Sequence, residues 1–351
     1  MCCTPDTPYP CLFCVLSCSS APSTFCVDLR SALAELGCLA SRIAPLLMYD
    51  TAPSTSRNYL AAFRRWSSWA NQHHLQVFPA KPAHISLYFI YLVQQAGSCS
   101  PVTRASAALS WHHRKAALED PTSHQTVCQL RTAIRLLTSR ATVRRGPLTL
   151  EDYHKLLDIL ARPSASLSDI QCAALIALGF TAMLRWNDLQ NLRRKHITFY
   201  PTHMSVLLEQ RKNDQFRNGQ TVVVCRTGHH SHCPVKVLAR FLEKGAHQPD
   251  DCLFRRVTVS PIHGDFLRGV MSYTRARELL LAAFQRASLD THRVGTHSLR
   301  SGGATAASSA GISDRLLQQH GGWRCSSSKD CYIDDNLECL LSASWGILAT
   351  K

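Results

Sequence analysis

His297 and Arg300 stand three residues apart, and Trp323 and Tyr332 nine apart, within HSLRSGGATAASSAGISDRLLQQHGGWRCSSSKDCY, residues 297–332. On a helix the first two share a face. They then set two imidazole nitrogens beside a planar five-donor fork, which suits a phosphate held by parallel hydrogen bonds. Tyr332 adds a phenolic oxygen able to attack phosphorus. Each of these residues alone reads more simply as a buried histidine, a salt-bridged arginine or a core tyrosine. Their combination in one stretch favours phosphate chemistry.

Two upstream segments could complete such a site. In GFTAMLRWNDLQNLRRKHI, Arg185 follows an apolar run and precedes Asp188. Locally this is an ordinary Arg–Asp pair at i, i+3 of a helix. Arg193, Arg194 and Lys195 add further phosphate-binding charge. Next, apolar residues alternate from Met204 to Leu208, and Thr221–Val224 is β-branched. Between them lies EQRKNDQFRNGQ, with the turn signal Asn218-Gly219. This pattern predicts a β-hairpin with Arg211, Lys212 and Arg217 near its tip.

The order His-x-x-Arg, Gly-Trp, then Tyr nine residues on resembles the catalytic C-terminus of tyrosine recombinases, the phage-integrase family. The wording HSLRSGGATAA…LLQQHGGWR…KDCYIDD is most similar to recombinases of eukaryotic mobile elements of the DIRS and Crypton types. The resemblance covers about residues 50–348. It implies a catalytic set of Arg185, Lys212, His297, Arg300, Trp323 and Tyr332, with Asp188 in support. Arg211 and Arg217 compete with Lys212 for the hairpin role. By the resemblance, Arg185 and Arg300 hold the non-bridging oxygens of the scissile phosphate. His297 positions the phosphate or accepts the Tyr332 proton. Lys212 protonates the leaving 5′-oxygen, and Tyr332 forms a 3′-phosphotyrosyl link. Many bacterial members carry His where Trp323 stands. Tryptophan has only an N–H donor, so it can bind a phosphate oxygen but cannot shuttle a proton.

The resemblance also implies the architecture that must position these groups. The expected fold is mainly α with a small β-hairpin or sheet (α+β). A helical N-terminal core-binding domain and a catalytic domain would form a C-shaped DNA clamp. Residues 1–49 are expected to be a disordered leader, with a short amphipathic helix within 28–48. Residues 50–139 form the helical SAM-like domain, 140–148 a basic linker, and 149–351 the catalytic domain.

Periodicity places four helices in the first domain. Thr55 or Ser56 caps the first, which runs to about Leu75 and turns Tyr59, Leu60, Phe63, Trp66 and Trp69 to one side. This stripe reads as core. The others span about Pro82–Gln95, Val102–Leu118 and His124–Thr138. Thr149 and Asp152 make a capping-box-like start for a helix over 150–161. A largely apolar helix follows over about Ser168–Gly179, then helices over 234–245 and 274–288, with a loop or short helices between these last two. Gly302 and Gly303 permit close backbone packing at some cost in helix propensity. The amphipathic tail, residues 336–348, either packs on a neighbouring subunit or folds back on its own core.

Charge and composition favour a polyanion partner, nucleic acid or an anionic membrane. The 351 residues carry a net charge of +15, and 45% are apolar, enough for two cores. Asp50–Gly146 holds twelve Lys/Arg against three Asp/Glu. Arg57, Arg64, Arg65, Arg104, Arg114, Lys115, Arg131, Arg135, Arg144 and Arg145 are the expected backbone contacts, each equally readable as part of a solvated face. Six of the sixteen cysteines fall in the first 26 residues, and Cys11-x-x-Cys14 has no partner pair for zinc. His229, His230, His232 and Cys233 read as a polar loop before a helix. Free thiols fit a reducing, intracellular setting. The apolar run CLFCVLSC is too short to span a membrane. The mechanism implied by the resemblance needs neither ATP nor metal, so no cofactor is expected, and consistent with that the sequence has no Walker motif and no convincing two-metal acidic cluster.

The function implied is site-specific DNA recombination or integration. A homotetramer would act on paired double-stranded DNA sites, without a membrane, in the nucleus, and the protein would derive from a mobile element. The alternative is a domesticated DNA-binding protein that keeps the fold without catalysis. A third reading is a strand-relaxing type IB topoisomerase, which shares the chemistry. The separate helical domain and the tail favour the recombinase over it.

Overall fold

The computed structural model describes residue 46, residues 50–140, 145–211, 214, 218–228, 231–258, 265–335 and 337–349. The chain divides into two compact units, Met1–Thr142 and Val143–Lys351. It is mainly helical with small antiparallel sheets. Among the described residues no helix is long and apolar enough to cross a membrane.

The first unit is built from α1 (Pro53–Gln72), α2 (Pro82–Ala96), α3 (Ser100–Lys115) and α4 (Gln125–Thr138). The aromatic stripe of α1 forms its core: Trp66 and Trp69 are buried against Ile85, Tyr88, Phe89 and Leu109. The Trp66 indole N–H donates to the Val77 carbonyl at 2.9 Å, so the ring is buried without an unsatisfied donor. The expected cap at Thr55 or Ser56 is not used. The helix begins at Pro53 with Ala52 as N-cap and no side-chain cap bond. A first-turn proline has its φ preset and lacks an N–H that would go unbonded there anyway.

The second unit has one apolar centre, α6 (Leu167–Thr181), in which every residue from Ile170 to Phe180 is buried. Around it lie α5 (Leu150–Leu160), α8 (Pro234–Lys244), α9 (Tyr273–Arg286) and α10 (Thr296–Ser309). The capping box forms: Thr149 Oγ1 accepts from Asp152 N at 3.0 Å, and Asp152 Oδ2 accepts from Thr149 N at 3.2 Å. Short α7 (Trp186–Asn191) leads into an antiparallel sheet, β1 (Ile197–Phe199), β2 (His203–Leu208) and β3 (Gln220–Cys225). Met204 pairs with Val224, and Val206 with Val222. These residues are buried while Val223 faces outward, so alternation fixes the register.

Where a loop or short helices are expected before α9, the chain instead forms a hairpin, β4 (Arg255–Val257) with β5 (Phe266–Val270). The Arg255 guanidinium lies 4.1 Å from the Phe266 ring centroid. This cross-strand pair carries no strong period in sequence. Of the proposed polar loop, His232 bonds Asp158 at 2.7 Å and Cys233 is the N-cap of α8. Residues 229 and 230 lie outside the described set, as do the leader's Cys11 and Cys14.

After α10 come α11 (Asp314–Gly321), α12 (Ser326–Asp330) and the terminal α13 (Leu337–Ala349). The helix α10 approaches its neighbours through glycine. A Cβ on Gly302 would collide with the Leu148 carbonyl oxygen, and one on Gly303 with that of Phe180. Both obstacles are backbone and cannot swing aside. Gly303→Ala should therefore cost about 2–3 kcal/mol in urea unfolding, the upper range for overpacking. A loss below about 0.5 kcal/mol would show that α10 can slide at no cost.

Candidate active site

The site gathers where four segments of the second unit meet. Arg185 is the N-cap of α7. Asp188 Oδ2 accepts a hydrogen bond from the Arg185 backbone N–H at 3.0 Å, which fixes the entry of the chain into that helix. Asp188 is 2% exposed. The acidic partner thus acts first on backbone, and the Arg185 side chain remains partly accessible.

Arg300 lies at the centre, 1% exposed, one helical turn into α10. It donates to the carbonyls of Met183 and Gly321, bridging the end of α6 to the end of α11. Its guanidinium carbon sits 4.2 Å from the Trp323 ring centroid and 4.9 Å from that of Tyr332. The two rings lie 5.5 Å apart. They pack with Met183, Ala304 and Leu317 in a small apolar cluster of their own. Sequence spacing alone would not bring Arg300 and Tyr332 together. The left-handed turn at Gly322, φ 66°, does so by reversing the chain after α11.

The nucleophile candidate is held by its backbone. Tyr332 N donates to the Lys329 carbonyl at 2.8 Å, and Thr305 Oγ1 on α10 donates to the Tyr332 carbonyl at 3.5 Å. Lys329 pairs with Asp314 at 2.6 Å and Asp330 at 3.0 Å, tying α12 to α11. Sequence reasoning missed this strut, since a lysine in a short Ser-rich helix carries no signal of burial.

The electrostatics are unbalanced. Burial, then the Arg185 and Arg211 charges, push the Arg300 guanidinium well below its usual range, while Tyr332 and Asp188 oppose that shift. Burial, then Arg185, likewise pull Arg211 down, against Asp188. Five buried polar atoms here have no hydrogen-bond partner among the described residues: Arg185 Nη1, Asp188 Oδ1, Arg211 Nε, Arg300 Nε and Trp323 Nε1. Four of the five are donors. Buried cationic donors in excess of acceptors are suited to an anion with several oxygens.

The structure brings together Arg185, Asp188, Arg300, Trp323 and Tyr332. It places His297 in the first turn of α10, exposed, three residues before Arg300. Lys212, Arg217 and Arg144 lie outside the described residues. Arg211, weighed in sequence only as a rival to Lys212, is buried beside Asp188 at 3.4 Å.

In the first unit Arg57, Arg64, Arg65, Arg104, Arg114 and Arg135 are exposed. Lys115 pairs with Asp50 at 2.5 Å, and Arg131 donates to Ser106 Oγ at 2.9 Å, so these two also serve local structure. Arg145, in the second unit, is exposed.

Comparison with known proteins gives a consistent picture. Residues 147–338 match the phage integrase family. An integrase/recombinase xerD homolog of Selenomonas ruminantium is 27% identical over 262 residues, 73% of this chain and 74% of that protein. The recombinase cre of Escherichia phage P1 is 23% identical over 282 residues, 77% of this chain and 80% of that one. Among solved structures, a lambda integrase tetramer bound to a Holliday junction superposes with a TM-score of 0.53 at 17% identity, over 81% of this chain and 73% of that one.

The Trp323 indole packs between the Arg300 guanidinium and the Tyr332 ring while its N–H bonds nothing among the described residues. Packing and polarity should therefore separate. Trp323→Phe should change unfolding free energy by less than about 1 kcal/mol, whereas Trp323→Ala should lose about 3–5 kcal/mol. Equal losses in the two variants would mean that the N–H has a structural partner.

Proposed function

The chain belongs to the phage integrase family, and on that premise we propose that it is a site-specific DNA recombinase that cuts and rejoins strands through a 3′-phosphotyrosyl intermediate. The observation that carries this reading is the Tyr332 ring set 4.9 Å from the Arg300 guanidinium, amid buried donors that have no partner among the described residues.

The chemistry follows from the groups. Arg185 Nη1, Arg300 Nε and Trp323 Nε1 donate to oxygens of the scissile phosphate. They offset the charge that grows as phosphorus becomes five-coordinate. His297 orients the phosphate or takes the phenolic proton. The Tyr332 oxygen attacks phosphorus, the bond to the 5′-oxygen breaks, and Lys212 supplies a proton to that oxygen. The phosphodiester energy is kept in the protein–DNA bond. A 5′-hydroxyl from another strand can attack it, restoring free Tyr332 and a joined strand. Neither ATP nor metal enters this sequence of steps.

The exposed arginines of the first unit supply contacts to DNA backbone, which give affinity without sequence information. Arg144 and Arg145 extend that charge along the linker. We further assign a homotetramer on paired DNA sites. Lambda integrase has been solved as a tetramer bound to a Holliday junction. In this chain α13 exposes Leu340, Trp345 and Leu348. An apolar groove between β3 and α11, lined by Phe180, Val223, Ile312 and Leu316, offers a seat for the same helix of a second copy. Origin in a eukaryotic mobile element, and hence action in the nucleus, completes the proposal.

Incubation with nicked duplexes of candidate element ends, without added metal, should give a slow-migrating covalent adduct on a denaturing gel. Tyr332→Phe should bind the same DNA with unchanged affinity and give none. An adduct that persists in Tyr332→Phe would refute the nucleophile. DNA binding without any adduct would favour the domesticated binder. Truncation after Asp335 should leave single-site binding intact and abolish four-subunit complexes in mass photometry. Tetramers from the truncated chain would exclude α13 as the link.

A further inference from the structure

The resemblance to tyrosine recombinases gives Arg211 no role except as a rival to Lys212. Its surroundings give it another. A guanidinium near the tip of a hairpin is ordinarily solvated, but Arg211 is 5% exposed. Its Nη1 donates to Gln220 Oε1 at 2.6 Å, and its Nη2 faces Asp188 Oδ2 at 3.4 Å. Its Nε is buried with no partner among the described residues. Gln220 in turn donates to the Gln319 carbonyl near the end of α11. The Gly322 backbone presses so closely on the guanidinium that a Cβ there would collide with Nη1.

One planar fork therefore touches three segments. The first is the start of β3, through Gln220. The second is the start of α7, through Asp188, which also fixes the Arg185 backbone. The third is the turn at Gly322, which delivers Trp323. A lysine could not make these contacts together, because it offers a single point charge without a fork.

Charge points the same way. Arg185, Arg211 and Arg300 share one buried carboxylate, Asp188, so the cluster carries three cations against one anion. The surplus of two matches a five-coordinate phosphorus attacked by phenolate, which bears two negative charges, better than the singly charged phosphodiester. Groups that fit the transition state better than the ground state accelerate the reaction. Without Arg211, Asp188 would cancel half of the remaining positive charge.

We infer that Arg211 is a positioning residue of the phosphate pocket: a third guanidinium that acts through Asp188 and the Gly322 turn to hold Arg185 and Trp323 on the scissile phosphate. This rests on the reading of the pocket as a phosphate site.

Two measurements on the full chain test it. The first is single-turnover cleavage of a nicked duplex at saturating DNA. Arg211→Met should slow the rate constant about 100-fold, as for loss of one preorganised donor, with DNA affinity unchanged within about threefold. Arg211→Lys keeps the charge without the bridge and should recover less than about tenfold of that loss. Because Arg211 acts through Asp188, the double variant Arg211→Met/Asp188→Asn should be no slower than the slower single variant. Multiplying losses, or an Arg211→Met rate close to wild type, would overturn the assignment.

The second measurement needs no catalysis. Inorganic phosphate, against chloride at equal ionic strength, should raise the thermal unfolding midpoint of the wild type and do so by less than half as much in Arg211→Met. An equal rise, or none in the wild type, removes Arg211 from an anion pocket. An Arg211-dependent rise in a wild type that forms no adduct would leave the pocket standing and sink the cleavage reading instead. Should Arg211→Met fail to fold, Arg211→Lys serves in both measurements.

Discussion

Everything in the second unit accommodates one costly arrangement, a guanidinium buried to 1% exposure at Arg300 with two more beside it. Burying a cation is unfavourable unless it is paired and hydrogen-bonded. Here the pairing is incomplete. Arg300 is held by the carbonyls of Met183 and Gly321, and by the faces of Trp323 and Tyr332, without a carboxylate of its own among the described residues. Backbone carbonyls and ring faces orient a guanidinium while leaving its charge largely unneutralised. That residual charge is what the proposed phosphate site would use.

Stability for such a site has to come from elsewhere. The source is α6, apolar on all sides and enclosed by helices and by the inner face of the sheet. Gly302 and Gly303 let the α10 backbone settle against the Leu148 and Phe180 carbonyls, and Gly179 on α6 makes room for the Leu299 side chain. The close approach carries Arg300 to the Met183 carbonyl. Packing that would be ordinary in a structural core here sets the position of a charged group.

Tyr332 and its neighbours depend less on this core than on local braces. Lys329 ties α12 to α11, and Thr305 reaches from α10 to the Tyr332 carbonyl. The Trp323–Tyr332 cluster is separate from the main core. Tyr332, the proposed nucleophile, is thus mounted on a small satellite and not on α6 itself.

Much of this was legible in the sequence by itself. The 3.6-residue period of α1, the first-turn proline of α2, the Thr149–Asp152 box and the alternation along β2 are local signals, and local chemistry decides such elements. The order Arg185, Asp188, His297, Arg300, Trp323 and Tyr332 likewise pointed to one chemistry through a family resemblance. Other features were closed to that reading. Arg211 and Lys212 are adjacent basic residues in a polar run, and no period says which is buried. Lys329 looks like any solvated lysine, and Arg255 with Phe266 gives no strand signal. The start of α1 went to Pro53 because backbone preorganisation outweighed a side-chain cap. Sequence determined which groups are present and in what order, because chemistry and local backbone preference belong to residue types. Only the tertiary structure decided which charges share one pocket, because burial, and the electrostatic cost it imposes, arises from segments more than a hundred residues apart meeting at a few carbonyls.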